Sequence, residues 1–455
     1  MFRTLITVTL FVAVTAGVAP AQNARVDAMA GYDLMDDHTN ILANPVFVND
    51  HSNSVQITYD GDVGPVIAVV GLKNMRFGLS YTGDNVLDDD VYAHYLTTVL
   101  GAANNLGFIN AGNVDPIPNI LFGMDLNALK IGARLYYERT SRKNSVQDNQ
   151  GGNFDETTIN ERYGTMGFVA GAGLDLNSLM LSVKAGMGVP FLNASYENSI
   201  TGANPERVTA SVNKGIHLEI GGEGRLAMRA ADVIVGADLE MTSFKGEWEF
   251  TPRVGDVVRH DGFRSTTLSL IDLYGGAEKF IDDQNLLLGV KLSATMVSET
   301  DKPNDVTYAE RTNTTRDMSY GIRSGLEKTW TELRWLDAVR GRVGLSYETT
   351  MAIVRANGSA GPDEYDSRLK HAPDRGGFGL NVGFGIKKNV SQFDVLISPD
   401  ALLSAIRTVS GQAGGEDFAR VTFTMDFGSA LSSGGSNWSS GGSSTDKKPS
   451  TGSSW

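Results

Sequence analysis

The chain has no cysteine among its 455 residues. That excludes a disulfide-stapled scaffold and a Cys-ligated zinc site. Proline is scarce, at 13 residues, too few for an extended Pro-rich linker protein. Positive charge is in deficit: 39 Lys and Arg stand against 53 Asp and Glu, a formal net charge of −14. Binding to nucleic acid needs a basic surface that neutralises phosphates, so no nucleic-acid partner is expected. Long apolar runs are missing beyond the N-terminus. The stretch Val66–Leu72 is strand-sized, and nothing approaches the roughly 20 residues of a spanning helix. Glycine, by contrast, is abundant at 52 residues, well above the usual ~7%.

The first 21 residues place one positive charge, Arg3, before an uncharged run that ends at Ala19-Pro20-Ala21. A short charged start, an apolar core and small residues at the end make a secretory signal peptide. Residues 1–21 are therefore expected to be cleaved and the mature chain exported. No cysteine follows the cleavage site to carry a lipid anchor.

The body alternates with a period of two. Along Ile216–Arg229, Ile216, Leu218, Ile220, Leu226 and Met228 share one face, while His217, Glu219, Glu223, Arg225 and Arg229 share the other. A helix would scatter those charges around its circumference, whereas a strand sorts them onto one side. The same alternation recurs around Ile131–Glu138, Thr165–Asp175, Val233–Thr242, Leu286–Met296, Val339–Glu348 and Phe378–Lys387. Short connections such as Asn127-Ala128, Asn177-Ser178, Asp282–Gln284 and Lys388–Gln392 alternate with long polar ones near 83–118, 142–161, 190–211, 247–262, 299–314, 356–375 and 398–416. Short turns at one end and long loops at the other describe an outer-membrane barrel. The expected fold is all-β: a transmembrane antiparallel β-barrel at 54–427, with about 14 strands from Met75 to Phe427. Val55–Tyr59 and Pro65–Val70 could add a hairpin and raise the number to 16. A soluble β-protein would show the same local alternation with the apolar face turned inward.

The last strand, Phe418–Phe427, ends in an aromatic residue. Phe423 and Phe427 resemble the signal read by the barrel-assembly machinery, although 28 residues follow. Those residues, 428–455, are dominated by Ser and Gly and are expected to form a flexible tail. Tyr92–Leu106 has helical spacing, and Pro399–Arg407 follows a plausible N-cap at Ser398.

Residues 22–53 form the segment ahead of the barrel. Ala30-Gly31, the acidic pair Asp36-Asp37, Ile41 and then Asn44-Pro45 resemble the N-terminal pattern of the FadL-like outer-membrane family. That family includes long-chain fatty acid and hydrocarbon transporters and PorV-like barrels. Val46 departs from the alanine usual there, as does Leu34-Met35 before the acidic pair. The resemblance implies that this segment folds into the barrel as a hatch, with Asp36, Asp37, Asn44 and Pro45 as its motif. Pro45 lacks an N–H and restricts Asn44, which favours a turn. The acidic pair and Asn44 could meet inward arginines. An extended lead-in to the first strand is the simpler alternative.

Inward-facing charges are the richest constellation. Arg134, Glu138, Glu219, Glu223, Arg225, Asp238, Arg340 and Arg342 are expected to share a lumen with Lys184, His217 and Lys291. They could tune solute selectivity, or pair with one another and fill a narrow interior. Nothing supports catalysis: the six histidines show no metal-ligand spacing, no G-x-S-x-G occurs, and no cofactor or metal is expected. The function expected is a channel or transporter for small hydrophobic molecules in a bacterial outer membrane. The alternative is a non-transporting structural barrel, or a PorV-like partner of a secretion or surface-attachment system. Expected partners are outer-membrane lipid, lipopolysaccharide, the assembly machinery and a hydrophobic ligand.

Overall fold

The alternation becomes sixteen long or moderate strands in one closed antiparallel sheet. The structure, a computed structural model, describes residues 29, 40–51, 53–59, 63–81, 113–114, 119–150, 153–176, 178–200, 205–252, 254, 258–303, 311–331, 333–358, 369–370, 377–397 and 420–427. The strands are β1 Ser54–Tyr59, β2 Val63–Leu72, β3 Met75–Tyr81, β4 Asn119–Leu126, β5 Leu129–Gln150, β6 Asn153–Leu176, β7 Leu179–Ile200 and β8 Glu206–Ala227. They continue as β9 Asp232–Thr251, β10 Val258–Ile281, β11 Leu286–Pro303, β12 Arg311–Thr331, β13 Ala338–Gly358, β14 Gly377–Lys388, β15 Ser391–Ile397 and β16 Arg420–Asp426. Two further pieces, Asn113–Val114 and Leu369–Lys370, pair with the upper parts of β5 and β13.

Each strand pairs with its neighbours in sequence, and β1 pairs with β16 through Val55↔Met425 and Ile57↔Phe423. That seam corrects the expected strand number from 14 to 16. A ring ending at β3 and β16 would leave two open edges, and only a closed sheet satisfies every backbone group in lipid. The hairpin β1–β2 supplies the missing strands, joined by Gln56↔Ile67 and Ser54↔Val69.

Asparagine makes several of the tight turns. Asn127, Asn285 and Asn389 adopt left-handed backbone, with φ of 69°, 47° and 52°. Asparagine tolerates this region better than other side chains with a Cβ, which lets the chain reverse in few residues. Both chain ends of the barrel, Ser54 and Asp426, lie at this end of the cylinder.

The opposite end differs from the sequence expectation. The segments 142–150, 153–161, 190–200 and 206–211 continue as paired strand rather than opening into loops. On these segments the apolar outer face ends before the strand does, so the alternation lapses while the backbones still pair. Strands β5–β13 run 18 to 24 residues, whereas β1–β4 and β14–β16 have 6 to 12. A bilayer crossing takes about 9–11 residues. Among the described residues, nine adjacent strands thus run well beyond the length of one crossing and seven stay near or below it. The expected helices at Tyr92–Leu106 and Pro399–Arg407, the signal segment 1–21 and the tail 428–455 lie outside the described residues.

The faces are sorted as in a membrane barrel. Leu135, Val183, Ile220, Val235 and Leu292 are more than half exposed. Arg134, Lys184, Glu219 and Arg342, one residue out of phase, are under a tenth exposed. A soluble barrel would reverse this, since exposed apolar surface on that scale carries a large hydration cost in water.

Candidate functional site in the lumen

The inner wall holds two things: a piece of chain from ahead of β1, and a set of paired charges.

The chain piece begins with a short helix, α1 (Asn40–Ala43), and continues as a 3-10 turn over Pro45–Asn49. Asn44 separates them in an extended conformation, φ −144° and ψ 114°, as the following proline requires. Its Oδ1 accepts from the Val46 N–H at 3.2 Å, capping the turn. Asn49 Nδ2 donates to Val46 O and to Ile131 O of β5, each at 2.9 Å. Asp50 pairs with Lys130, also on β5. Apolar burial adds to this polar seating: Ile41 and Val48 pack with Ile67, Val69 and Leu121 from β2 and β4. Burying each such side chain stabilises the seat by about 1.5–3 kcal/mol.

Glycines make room for the segment. A Cβ on Gly132 would stand 2.1 Å from the Pro45 carbonyl oxygen. On Gly171 it would lie 2.4 Å from Asn44 Oδ1, and on Gly123 2.4 Å from Val48 Cγ1. Across the lumen, Met29 is fully buried against Ile234, Leu287 and Tyr274, and a Cβ on Gly325 would stand 2.4 Å from its Cε. The N-terminal segment thus touches the inner wall at two places, β2–β6 and β9–β12.

The charges form two groups. In the first, Lys184 bridges Asp238 at 3.0 Å and Glu219 at 3.7 Å, and Arg134 stands 3.9 Å from Glu219. Glycines at 186 and 221 let these long side chains lie flat on the wall: a Cβ on Gly186 would meet the Glu219 side chain, and one on Gly221 would meet Asp238 Oδ1 and the Lys184 stem. His217 Nδ1 lies 2.8 Å from Thr242 Oγ1 beside this group. In the second, the fully buried Arg342 donates from Nε to Glu327 at 2.6 Å and from Nη1 to Asp394 at 2.7 Å. Gln392 links Asp394 to Arg340 through contacts of 2.6 and 2.7 Å.

A cavity of about 310 Å³ lies between the segment and strands β7–β11. Asn44, Phe47 and Asp50 form one side; Lys184, Glu223, Arg225, Asp238, Asp272, Tyr274 and Lys291 are on the other. Tyr274 donates to Glu223 at 3.0 Å, Thr295 donates to Asp272 at 2.7 Å, and Lys291 Nζ stands 4.7 Å from the Tyr274 ring centre. Among the described residues no grouping of His, Asp and Glu could hold a metal ion.

The sequence-expected lumen residues Arg134, Glu219, Glu223, Arg225, Asp238, Arg340 and Arg342 all sit on inner-face register positions. Glu138 shares that register opposite Thr165, but its side chain lies outside the described residues. Asp36 and Asp37 lie outside them too. Asn44 does not meet an arginine as expected: it caps its own turn, and Arg134 and Arg342 go to carboxylates on the wall. Phe423 is on the outer face of β16, out of phase with the inward Thr422, which meets Thr58 at 3.1 Å, and Phe427 directly follows the strand, its N–H donating to Asn53 O at 2.6 Å.

Asp50, Lys130, Asp272, Tyr274, Gln392 and Asp394 escaped the sequence reading. Lys130 is two residues from Gly132 on the face already read as inner, so extending that face downward would have found it. Tyr274 stands before the pair Gly275-Gly276, which blurs the alternation, and Asp394 is flanked by Phe393 and Val395 in a strand of only seven residues.

No family model matches the chain, and no curated protein matches its sequence. Among solved structures, the translocator domain of the autotransporter NalP from Neisseria meningitidis aligns with 74% of this chain and 95% of its own, at 10% identity and a TM-score of 0.27. BauA, the ferric preacinetobactin receptor of Acinetobacter baumannii, aligns with 82% of this chain and 79% of its own, at 9% identity and a TM-score of 0.25.

Proposed function

We propose that this chain is a bacterial outer-membrane barrel that passes small solutes through its lumen, with residues 22–53 acting as a hatch. The observation that carries this reading is the glycine-lined seat. Gly123, Gly132 and Gly171 leave the inner wall bare where Pro45, Asn44 and Val48 lie, and a wall that merely enclosed itself would have no use for that gap. The outer face supports the location, since only lipid stabilises so many exposed apolar side chains in one band.

The cavity bears on the cargo. The FadL-like resemblance implies a hydrophobic ligand, and Ala43, Phe47 and Met180 offer some apolar contact. Seven charged side chains share the same lining: Asp50, Lys184, Glu223, Arg225, Asp238, Asp272 and Lys291. An apolar ligand would strip water from those groups without replacing its hydrogen bonds. A small solute bearing charge of both signs suits the lining better.

The second reading is a non-transporting scaffold, favoured by the Arg342–Glu327–Asp394 cluster, which fills part of the interior with paired side chains. Bilayer recordings separate the two. The full-length chain should conduct weakly or intermittently, and deletion of residues 22–50 should raise conductance while heat-shifted gel mobility persists. Unchanged conductance in the deleted form would remove the hatch and leave the scaffold.

A further inference from the structure

Apolar side chains cover the outer face of β5–β9 only part of the way up. Leu135 on β5, Met166 on β6, Val189 on β7 and Ile216 on β8 are exposed and apolar. Toward the long-loop end, the same faces turn to aromatic and then basic residues. Tyr137 and Phe191 stack across Gly164, with ring centres 5.6 Å apart and planes at 20°. Arg162 donates from Nη2 to the Tyr137 hydroxyl at 2.7 Å, and its guanidinium carbon lies 5.9 Å from the Phe191 ring centre.

Arg162 opposes Ser141 in the register, and Lys143 is two residues further along β5 on the same face. The two cations are therefore diagonal neighbours, roughly 7–8 Å apart along the sheet, a spacing that one tetrahedral anion can bridge. On β8 and β9, Lys214 and Lys245 are direct cross-strand partners, two residues above Ile216 and Ser243, and both are exposed. Like charges directly opposed on a sheet repel unless an anion joins them. Asn160, Asn193 and Ser243 share this face, and among the described residues no carboxylate separates these four cations from the apolar band below. In a chain of net charge −14, a basic belt at that level is a local reversal of sign.

We infer that this belt is a docking surface for the phosphate groups of an anionic glycolipid in the outer leaflet. Arg162 with Lys143 forms one phosphate site, and Lys214 with Lys245 forms another. Tyr137 and Phe191 are positioning residues: they hold the guanidinium flat at the edge of the acyl layer. The position distinguishes a lipid from a free anion, because the cations follow directly on side chains that contact acyl chains. The inference rests on the membrane location proposed above.

The test uses the full-length chain reconstituted in phosphatidylcholine vesicles containing either bisphosphorylated lipid A or its dephosphorylated counterpart, with co-extracted lipid measured by mass spectrometry. The wild-type chain should retain the bisphosphorylated form selectively, and millimolar inorganic phosphate should not displace it. Arg162→Gln with Lys143→Gln should weaken retention by about tenfold, and Lys214→Gln with Lys245→Gln by a similar factor. Tyr137→Phe should weaken the first site alone, with charge unchanged. Equal retention of the two lipids by the wild-type chain, displacement by inorganic phosphate, or undiminished retention in both paired variants would each overturn the inference. A chain that neither enters vesicles nor shows heat-shifted mobility would overturn the membrane location itself, a distinguishable failure.

Discussion

At the scale of single residues, two side-chain choices decide what the lumen can contain. The Gly132 position is occupied by another part of the chain: any Cβ there meets the Pro45 carbonyl, which is backbone and cannot rotate away. Gly132→Val should expel the segment from its seat and raise single-channel conductance toward that of the 22–50 deletion. Gly224→Ala is the control, since its nearest neighbour would be the flexible Leu181 Cδ2 at 3.4 Å. A silent Gly132→Val would mean that the seat does not matter to conduction. Arg342 is different, because its removal strands Glu327 and Asp394 as buried, unpaired carboxylates. Arg342→Ala should destabilise the barrel by about 3–5 kcal/mol, measured as a fall in the urea midpoint in vesicles. Replacing all three residues together by Glu327→Met, Arg342→Met and Asp394→Leu should recover most of that loss. The inward position of Arg342 was recognisable from alternation alone, but its pairing with Glu327 and Asp394 was not, since a period of two tells which face a residue takes and not the register of the neighbouring strand.

At the scale of elements, strands were legible and their upper limits were not. Ile216–Arg229 announced itself because lipid and lumen impose opposite demands on successive residues. Above the bilayer that demand lapses, so 142–150 and 153–161 read as polar loop while their backbones still pair. The hairpin β1–β2 was ambiguous for another reason. Val66, Ile67, Ala68 and Val69 are all buried, which erases the alternation that marked other strands. The lumen segment has its own fastening in the Asp50–Lys130 pair, about a quarter exposed on both sides. Partial exposure limits such a pair to about 1 kcal/mol or less. Asp50→Asn should therefore raise the opening frequency severalfold without abolishing closure, and in Lys130→Gln the added Asp50→Asn should have no further effect. Additive effects of the two substitutions would show that the pair is not a fastening.

At the scale of the whole molecule, net charge misleads about the lumen. The chain is strongly acidic, yet the described inner face interleaves Lys184, Arg134, Arg225 and Lys291 with Glu219, Glu223, Asp238 and Asp272. Such a lumen should select only weakly between small cations and anions. Lys184→Met with Lys291→Met should turn it cation-selective, read as a shift of reversal potential across a potassium chloride gradient in the form lacking 22–50. An unshifted potential would put the conducting path elsewhere. The ring and its polarity were thus readable in the sequence, because they follow from a repeating local rule. The cavity was not, because it is made between the wall and a segment that obeys no repeat.

The seam between β1 and β16 has a consequence in time. Thr58 and Thr422 touch across 364 residues of chain, so the cylinder cannot close until nearly all of it has been delivered. Closing so large a loop is slow. The last pairing to form is also among the shortest, six residue pairs from Ser54↔Asp426 to Tyr59↔Val421. Residues 40–50 precede that seam directly, so the chain that will occupy the lumen is tethered beside the gap while the sheet is still open. Assembly then has an order: the occupant enters through the unclosed side, and the final zipping of β1 onto β16 encloses it.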